Sequence, residues 1–481
     1  MHFTKYLLGN NTIVVSKYNG NQIIFFKNDM DLDTSEVKEV LKKSGLYSKV
    51  VFPIEYDKNQ IRTVYISLHS SSWCNLGCKY CFVKDRIDIK NITIENAKKF
   101  IDYIIHYFPE AGKFIVDPTG SGEPLLRVEF LKKLSDYCKL KSNEINKEVL
   151  PMLVTNGTLL NSNNVSILQK HGYIFGISLD GTKNDNDRYR VFENGKGTFD
   201  SIIKNVKHIK HRQYIGVAVT ITGSNLDLVT ILKSLIKYFP TVSMKPVRSM
   251  DRNQGINEDN IDDLLHAYDD LYDFIISMSL KNKIGYIFAI LNGDDYFGKF
   301  IQRVFLNQKI QTRCDAGIGR YSLAPNGEIY ACPGAIGLKE FIVGDLDNGI
   351  DKNKVDYFWK LLSDSDRCEE CEARFVCGGE CLIVSKYYNN DLISLNPMMC
   401  KLKKHLFELA VKMKMVLNFN NQVIYKQIME ICNEKSHRFD EDEELTFLLE
   451  KYGVMYSFNE LKSIKDDFPE EYIKIKNNLI K

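Results

Sequence analysis

The chain lacks the features that mark membrane, secreted and nucleic-acid-binding proteins. Its 481 residues carry 64 Lys and Arg against 62 Asp and Glu, a formal net charge of only +2, so it has no basic excess to attract nucleic acid. No uninterrupted apolar run approaches the ~18 residues of a membrane helix, and residues 1–10 lack a charged-then-apolar signal pattern. We therefore expect a cytoplasmic protein with neither a nucleic-acid nor a membrane partner.

Cysteine, by contrast, is abundant, with twelve in the chain. In a reducing cytoplasm such cysteines bind metal or perform redox chemistry more often than they form disulfides. Three of them form one group near residue 78, and seven more lie between residues 314 and 400. Cys138 and Cys432 stand apart from both groups, and we expect them to be small core residues.

The spacing of apolar residues predicts an α/β chain. From residue 63 onward strands alternate with amphipathic helices, and the predicted strands are 63–69, 113–118, 148–155, 173–179, 214–222 and 241–248. Such alternation indicates parallel strands joined by right-handed crossovers. In sheets of this kind the chemistry gathers at the carboxyl ends of the strands.

A chain of this length is expected to form roughly two to four domains, and the pattern divides it into five segments. We predict a small α+β unit at 1–60, an α/β core at 61–250, a helical linker at 251–313, a cysteine-rich region at 314–404 and a helical tail at 405–481. The cysteine-rich region carries many turn residues and little periodicity, so metal ligation would supply stability that a thin core cannot.

The first cysteine group, Cys74, Cys78 and Cys81, directly follows the first core strand with the spacing Cys-x3-Cys-x2-Cys. Three thiolates on one loop can hold three corners of a four-iron cube and leave one iron open to a substrate or cofactor. A zinc knuckle or a set of buried thiols is the alternative. Structural zinc, however, takes four ligands, and the loop offers no fourth cysteine.

This motif resembles the signature of the radical S-adenosylmethionine (SAM) superfamily. The resemblance implies a partial (β/α)6 barrel over residues 61–250, in which the three cysteines hold a four-iron cluster whose open iron binds SAM. It further implies that the reduced cluster splits SAM into methionine and a 5′-deoxyadenosyl radical, which abstracts hydrogen from the substrate. An electron donor such as flavodoxin or ferredoxin would supply the electron.

Further stretches resemble, in the same order, the elements that hold SAM in this family. Gly120–Pro124 resembles a Gly-Gly-Glu-Pro element that contacts the SAM amino group, with Ser121 in place of one glycine. Taken singly, the Thr-Asn-Gly stretch after the third strand would also suit a turn, and Arg190 a solvated charge. The SAM-binding residues that the resemblance implies are Tyr80, Gly122, Glu123, Asn156, Ser178 and Arg190.

The second cysteine group resembles the SPASM domain, a C-terminal iron–sulfur extension of radical SAM enzymes. Its element Cys-x9–15-Gly-x4-Cys is matched by Cys314, Gly327 and Cys332. The resemblance implies two auxiliary four-iron clusters, three in all with the SAM-binding one. One auxiliary set would be Cys368, Cys371, Cys377 and Cys400, and the other Cys314, Cys332 and Cys381. The second set has only three thiols, so its cluster would have an open iron or a non-cysteine ligand. Zinc sites are again the alternative.

SPASM domains extend radical SAM enzymes that modify peptides and proteins, so the resemblance implies a peptide maturase. We expect it to form a thioether at a cysteine of a ribosomally synthesised precursor peptide. Residues 1–60 would grip a leader peptide as an added strand, or serve as a scaffold packed on the barrel.

Two other functions stay open. An anaerobic sulfatase maturase would oxidise Ser or Cys to formylglycine, but those enzymes carry an aspartate directly after the cysteine matched by Cys332, where this chain has Pro333. A non-catalytic iron–sulfur electron carrier or sensor would explain the cysteines. It would not explain the stretches that resemble SAM-binding elements.

The three cysteine sets predict the iron content of the chain. After anaerobic reconstitution we expect about twelve irons per chain, four for each cluster, measured together with acid-labile sulfide and zinc. Iron near about four per chain, with tightly bound zinc, would contradict both auxiliary clusters.

Overall fold

The computed structural model describes residues 2–25, 31–81, 83, 90–207, 209, 215–249, 254–364, 366–433 and 470. The predicted helical tail at 405–481 is largely helical as far as residue 433, and nearly all of its remainder lies outside the described residues. Within the described part of the chain, no helix combines the length and hydrophobicity that crossing a membrane requires.

The first elements are a three-stranded antiparallel sheet and a helix, in keeping with the predicted α+β unit: β1 (Phe3–Leu8), β2 (Asn11–Ser16), β3 (Gln22–Phe25) and α1 (Ser35–Lys43). The turn between β2 and β3 contains Gly20 at φ +68°, a conformation that favours glycine. The side-chain amide of Asn19 donates to Gly45 O at 2.8 Å and to Ser48 O at 2.9 Å, which joins this turn to the end of α1.

This N-terminal unit contacts the cysteine-rich region. Lys17 Nζ lies 3.3 Å from a carboxylate oxygen of Glu370, and the rings of Phe52 and Phe375 lie 6.0 Å apart. The unit therefore lies beside the second cysteine group; whether it binds a leader peptide or serves as a scaffold stays a prediction.

Six parallel strands form the centre of the molecule: β4 (Thr63–Leu68), β5 (Lys113–Asp117), β6 (Glu148–Thr155), β7 (Ile174–Ser178), β8 (Ile215–Ile221) and β9 (Thr241–Pro246). Each pairs in parallel with the next one along the chain. Every one of them matches its predicted strand to within two residues at either end. The predicted α/β fold, with a mostly parallel sheet, is confirmed.

Helices connect these strands: α2 (Ile94–Tyr107), α3 (Val128–Ile145), α4 (Ser162–Lys170), α5 (Lys183–Tyr189), α6 (Phe199–Lys207) and α7 (Leu228–Leu235). The predicted apolar face is clearest in α2, where Ala97, Phe100, Ile101 and Ile104 are buried. Residues three and four apart share one helix face, so this face packs on the sheet. Burying each large apolar side chain stabilises the fold by roughly 1.5–3 kcal/mol.

Three helices follow the parallel strands, as predicted for the linker: α8 (Ile261–Leu280), α9 (Gly285–Asn292) and α10 (Tyr296–Phe305). The cysteine-rich region begins with short strands: β10 (Arg320–Leu323), β11 (Glu328–Tyr330), β12 (Ile342–Asp345) and β13 (Gly349–Ile350). The chain then continues as helices: α11 (Lys352–Ser363), α12 (Arg374–Cys377), α13 (Leu382–Asn389), α14 (Pro397–Asn420) and α15 (Gln422–Asn433).

The short strands extend the central sheet beyond β4. The strand order is β13-β12-β11-β10-β4-β5-β6-β7-β8-β9, and β10 pairs in parallel with β4, with Leu323 opposite Leu68. The predicted boundary at residue 314 therefore separates two parts of the chain that share one sheet. Their buried apolar residues also belong to one continuous core, which reaches from Tyr6 to Cys432.

Candidate functional site

The first cysteine group lies on the loop that follows β4, at the carboxyl edge of the parallel strands. Cys74, Cys78 and Cys81 are all half-buried, and none of them forms a disulfide. Gly77 N donates to Val191 O at 2.8 Å, which holds the loop against the segment after α5. Three thiols thus lie on one short, anchored stretch of chain.

The protein environment opposes ionisation of Cys74 and Cys78. The pKa of Cys74 is raised to about 11, chiefly by burial, with Glu123 and Cys78 adding to the shift. Burial also raises the pKa of Cys78, where Arg190 opposes the shift and Cys81 adds to it. Neighbouring thiolates repel one another, and a bound metal cation relieves that repulsion. Metal ligation requires the thiolate form, so binding releases the thiol proton. By donor chemistry the set fits an iron–sulfur cluster.

The Gly120–Pro124 stretch docks on the cysteine loop at the end of β5. A Cβ atom on Gly122 would lie 2.0 Å from Trp73 O and 2.7 Å from Ser71 O, so only glycine fits there. Glu123 N donates to Trp73 O at 2.8 Å. The predicted close backbone approach at Gly122 is therefore present, and it brings together the ends of β4 and β5.

The carboxylate of Glu123 is buried and bonded to the protein itself. Its Oε1 accepts from Leu125 N at 3.0 Å and from Thr155 Oγ1 at 2.7 Å, and its Oε2 accepts from Asn156 N at 2.7 Å. Burial raises its pKa, and these donors oppose the shift. Glu123 thus fastens the end of β5 to the end of β6. The contact of this residue with the SAM amino group stays a prediction.

Asn156 links the end of β6 to the cysteine loop. Its Nδ2 donates to Asn75 Oδ1 at 2.9 Å and lies 3.8 Å from Cys74 Sγ. Its Oδ1 accepts from Thr158 Oγ1 at 2.7 Å. The amide therefore contacts the first thiol of the group. The stretch also forms the turn that the alternative described, with Gly157 at φ +77° and Thr158 N donating to Asn156 Oδ1 at 3.0 Å, and the contact of Asn156 with SAM stays a prediction.

Tyr80, Asp180 and Arg190 form a hydrogen-bonded group beside Cys78. The Tyr80 hydroxyl donates to Asp180 Oδ2, and Arg190 Nη1 donates to the Tyr80 oxygen at 2.8 Å. Burial opposes the charge of Arg190, but Tyr80, Asp180 and Cys78 outweigh it and raise the arginine pKa. The guanidinium therefore stays charged in a buried place, contrary to the alternative of a solvated surface charge.

Arg190 also has a donor to spare for a ligand. Its Nε is buried and has no hydrogen-bond partner among the residues that the structure describes. A buried cationic donor of this kind suits a carboxylate, and this fits the carboxylate that SAM carries. Ser178, predicted to bind SAM, is the half-buried last residue of β7, two positions before Asp180.

In the cysteine-rich region the thiols Cys314, Cys332 and Cys381 are mutual neighbours. Burial raises the pKa of Cys314 to about 11, with Cys381 and Cys332 adding to the shift. Cys381 differs, because the guanidinium groups of Arg248 and Arg313 outweigh its burial and lower its pKa. This three-thiol set has the members that the resemblance implied.

The remaining thiols form a four-thiol set, Cys368, Cys371, Cys377 and Cys400. Burial raises the pKa of Cys368, and Cys377 and Cys371 add to the shift. The pKa of Cys400 is raised to about 11 by burial, opposed by Lys403 and reinforced by Glu380, Cys377 and Cys368. These thiols are near enough to influence one another, while the division of the seven cysteines into two sets and their iron ligation stay predictions.

The cysteines outside these sets behave differently. Cys138 and Cys432 are fully buried, as expected for core residues, whereas the ten predicted ligands are all half-buried. In the described ranges no three His, Cys, Asp or Glu side chains converge as a site for a metal ion. A four-iron cube places its ligands on separate irons, so its thiolates need not meet at one ion.

Comparison with known proteins identifies the part of the chain that carries the first cysteine group. Residues 68–233 match the model of the radical SAM superfamily. The chain contains a radical SAM domain. Such a domain uses a four-iron cluster and SAM, and the residues described above fit both groups.

Two relatives are similar over a longer part of the chain than this domain. The radical SAM cyclopropyl synthase TigE of Paramaledivibacter caminithermalis is 25% identical over 386 residues, 74% of this chain and 77% of the relative. A cysteine-type anaerobic sulfatase-maturating enzyme of Clostridium novyi is 23% identical over 335 residues, 65% of this chain and 86% of the relative. The solved structure of native anSMEcpe with bound AdoMet is 21% identical, with a TM-score of 0.60, and the match covers 75% of this chain and 100% of that one.

Several charged residues of the radical SAM domain and its extension were not predicted. Asp180 belongs to the stretch Ser-Leu-Asp-Gly at residues 178–181, directly at the end of β7. Only the structure shows its bond to Tyr80. Arg248, Arg313 and Lys403 face the auxiliary thiols. Arg313 is adjacent to Cys314 and Lys403 lies three positions after Cys400, which gives a weak sequence signal for these two residues. Arg248 is near no cysteine in the sequence, so no signal marks it.

The bonds of Glu123 lead to a prediction for Glu123→Gln. Glutamine keeps the size but loses the charge, and its amide group cannot accept from the third donor. We expect the free energy of unfolding to fall by about 1.5–3 kcal/mol, and SAM binding to weaken with iron retained. Denaturant unfolding and equilibrium SAM binding measure these effects.

The matched control is Glu129→Gln on α3, where the side chain is 78% exposed. We expect that change to stay within about 0.5 kcal/mol of the original chain. Equal stability and SAM affinity in both variants would show that Glu123 does not organise the strand ends.

Proposed function

We propose that this chain is a radical SAM peptide maturase that forms a thioether at a cysteine of a ribosomally synthesised precursor peptide. When bound, the reduced cluster and SAM supply a 5′-deoxyadenosyl radical that abstracts hydrogen from the peptide. The observation that supports the proposal is that Cys314, Cys332 and Cys381 act on one another electrostatically beside Arg248 and Arg313, as a set of three thiols would. An iron without a fourth cysteine is free to bind the sulfur of a substrate.

The chain's own residues would orient the two cofactors. Cys74, Cys78 and Cys81 would hold the cluster, Arg190 Nε would receive the SAM carboxylate, and the Tyr80 and Asp180 pair would keep Arg190 in place. Gly122 and Glu123 close the strand ends against the cysteine loop. This arrangement gives the reacting groups a fixed geometry, which is the main contribution of a protein to cofactor chemistry.

A held thiolate would explain the bond that is formed. Thioether formation removes one hydrogen atom from carbon, which the radical takes, and one proton and one electron from the thiol and carbon centre together. Cys314, Cys332 and Cys381 would hold a cluster that supplies the acceptor for that electron, with a flavodoxin or ferredoxin as the final acceptor. A bound thiolate also reacts as if at very high local concentration.

A peptide substrate has support from related proteins. A solved structure of native anSMEcpe contains AdoMet and the Cp18Cys peptide, with a TM-score of 0.60 to this chain. The N-terminal unit would bind the leader, because β1 and β3 are the edges of its sheet, and an edge strand can pair with an extended peptide.

Formylglycine formation, the activity of the sulfatase maturases, has less support from the site. Pro333 follows Cys332 and begins a short 3₁₀ turn, so no carboxylate stands in this position. The guanidinium of Arg248 lies close to the next residue, with Nη1 3.5 Å from the place of a Cβ atom on Gly334. A cation here cannot act as the base that such an oxidation needs.

An electron carrier is the candidate from another class, and SAM cleavage separates it from an enzyme. Changing Cys74, Cys78 and Cys81 together to Ala should abolish the formation of 5′-deoxyadenosine, because the electron reaches SAM through their cluster. The control is Cys138→Ala, in which a core cysteine is removed. Chromatography of the reaction products measures the effect. Continued formation of 5′-deoxyadenosine by the triple variant would contradict the assignment of this cluster, and none from the original chain would favour the carrier.

Mass spectrometry of a cysteine-containing precursor peptide tests the bond. We expect a loss of about two mass units per modified site, with the cysteine then resistant to alkylation. A new aldehyde at Cys or Ser would support the sulfatase-maturase alternative. The same mass loss with the cysteine still open to alkylation would indicate a carbon–carbon bond, as the similarity to a cyclopropyl synthase allows, and would contradict the thioether.

A further inference from the structure

A buried ion pair lies between the two auxiliary cysteine sets. Lys403 Nζ, from the first turns of α14, is 2.8 Å from Glu380 Oε1, and the two side chains are only 3% and 1% exposed. Removing two charges from water is costly, and such a pair is weak evidence for stability. Its position among the seven auxiliary cysteines therefore calls for another explanation.

The pair is bonded to the short connection between the two sets. Only three residues separate Cys377, of the four-thiol set, from Cys381, of the three-thiol set. Lys403 Nζ donates to Gly379 O at 3.3 Å, and Cys381 N donates to Glu380 Oε1 at 2.7 Å. Gly379 has φ +99°, so the connection follows a path that few other residues allow.

The two charges act unequally on the thiols. Lys403 Nζ and Cys377 Sγ both donate to Gly379 O, each at 3.3 Å, and Lys403 lies three positions after Cys400, on the same face of α14. Glu380 acts in the opposite sense to Lys403, both on Cys400 and on its chain neighbour Cys381. The three-thiol set has other cations, since Arg248 and Arg313 lower the pKa of Cys381. Lys403 is thus placed to act mainly on the four-thiol set.

A fixed charge near an iron–sulfur cluster changes its reduction potential, because reduction adds one negative charge to the cluster. We propose that Lys403 and Glu380 set the reduction potential of the cluster held by the four-thiol set, with the ammonium raising it and the carboxylate lowering it. They are positioning residues, and the inference rests on the proposed function because it requires a cluster at these cysteines. Because the ion pair holds both charges in place, their combined effect on the reduction potential of this cluster would be constant.

Charge variants of opposite sign test the proposal. In the full chain with Cys74, Cys78 and Cys81 changed to Ala, only auxiliary signals remain for an EPR-monitored redox titration. Lys403→Met should lower one midpoint potential and Glu380→Gln should raise the same one. Each should change the ratio of reduced to oxidised cluster at least tenfold, which is about 59 mV for one electron.

Two further variants separate charge from packing. Lys403→Arg keeps the charge and should leave the midpoint close to the original, and the double variant Lys403→Met with Glu380→Gln should also lie near it. A merely structural pair would show shifts of the same direction, or lost iron, in both single variants, and either result would overturn the proposal. Should Lys403→Met fail to fold, Glu380→Gln alone still has to raise the potential.

Iron analysis distinguishes this inference from the proposed function. Unchanged midpoints in variants that hold about eight irons in this background would overturn only the role of the ion pair. Iron below about four per chain, without auxiliary EPR signals, would overturn the cluster assignment itself, and the present inference with it.

Discussion

The hydrogen bonds of the buried Glu123 carboxylate are the interaction on which the carboxyl ends of the parallel strands, next to the first cysteine group, depend. Glu123 accepts hydrogen bonds from the chain after β5 and from the end of β6, while its own backbone nitrogen donates to the cysteine loop after β4. Three loops that leave neighbouring strands are therefore tied at one residue. Because hydrogen bonds to a buried charge are stronger than neutral ones, the thiol-bearing loop is held in place before any metal arrives.

The sequence predicted the parallel strands well, because each is a continuous apolar run flanked by turn residues and followed by an amphipathic helix. The local motifs also predicted Asn156 directly after β6, whereas Arg190 lies at the C-terminal end of α5. The roles within the site were less accessible. The bonds of Glu123 to Thr155 and Asn156 were not predicted, because such contacts depend on how separate loops meet in space, and its contact with SAM stays a prediction. No periodicity marks partners that lie 32 or 33 positions apart.

The same limit explains why the extent of the sheet was not predicted. Strands β10 to β13 contain two to four residues each, too few to show a period of two. Yet β10 lies directly beside β4. Cys314 precedes β10 and Cys332 follows β11, so the strand pairing brings the three-thiol set to the same sheet that carries Cys74. The position of the auxiliary thiols relative to the first cysteine group is therefore determined by the pairing of β10 with β4 in one sheet.

Charge compensation follows a common plan in the three cysteine sets. Arg190 acts on Cys78, Arg248 and Arg313 act on Cys381, and Lys403 acts on Cys400. Each set thus has a nearby cation that is not one of its own ligands. Burial alone would hold the thiols protonated and oppose metal binding, so these cations lower the cost of forming thiolates. They would also remain beside a bound cluster, where a positive charge favours the reduced state. If the proposed clusters form, the cation that lowers the cost of forming the thiolates would therefore also help to define the reduction potential.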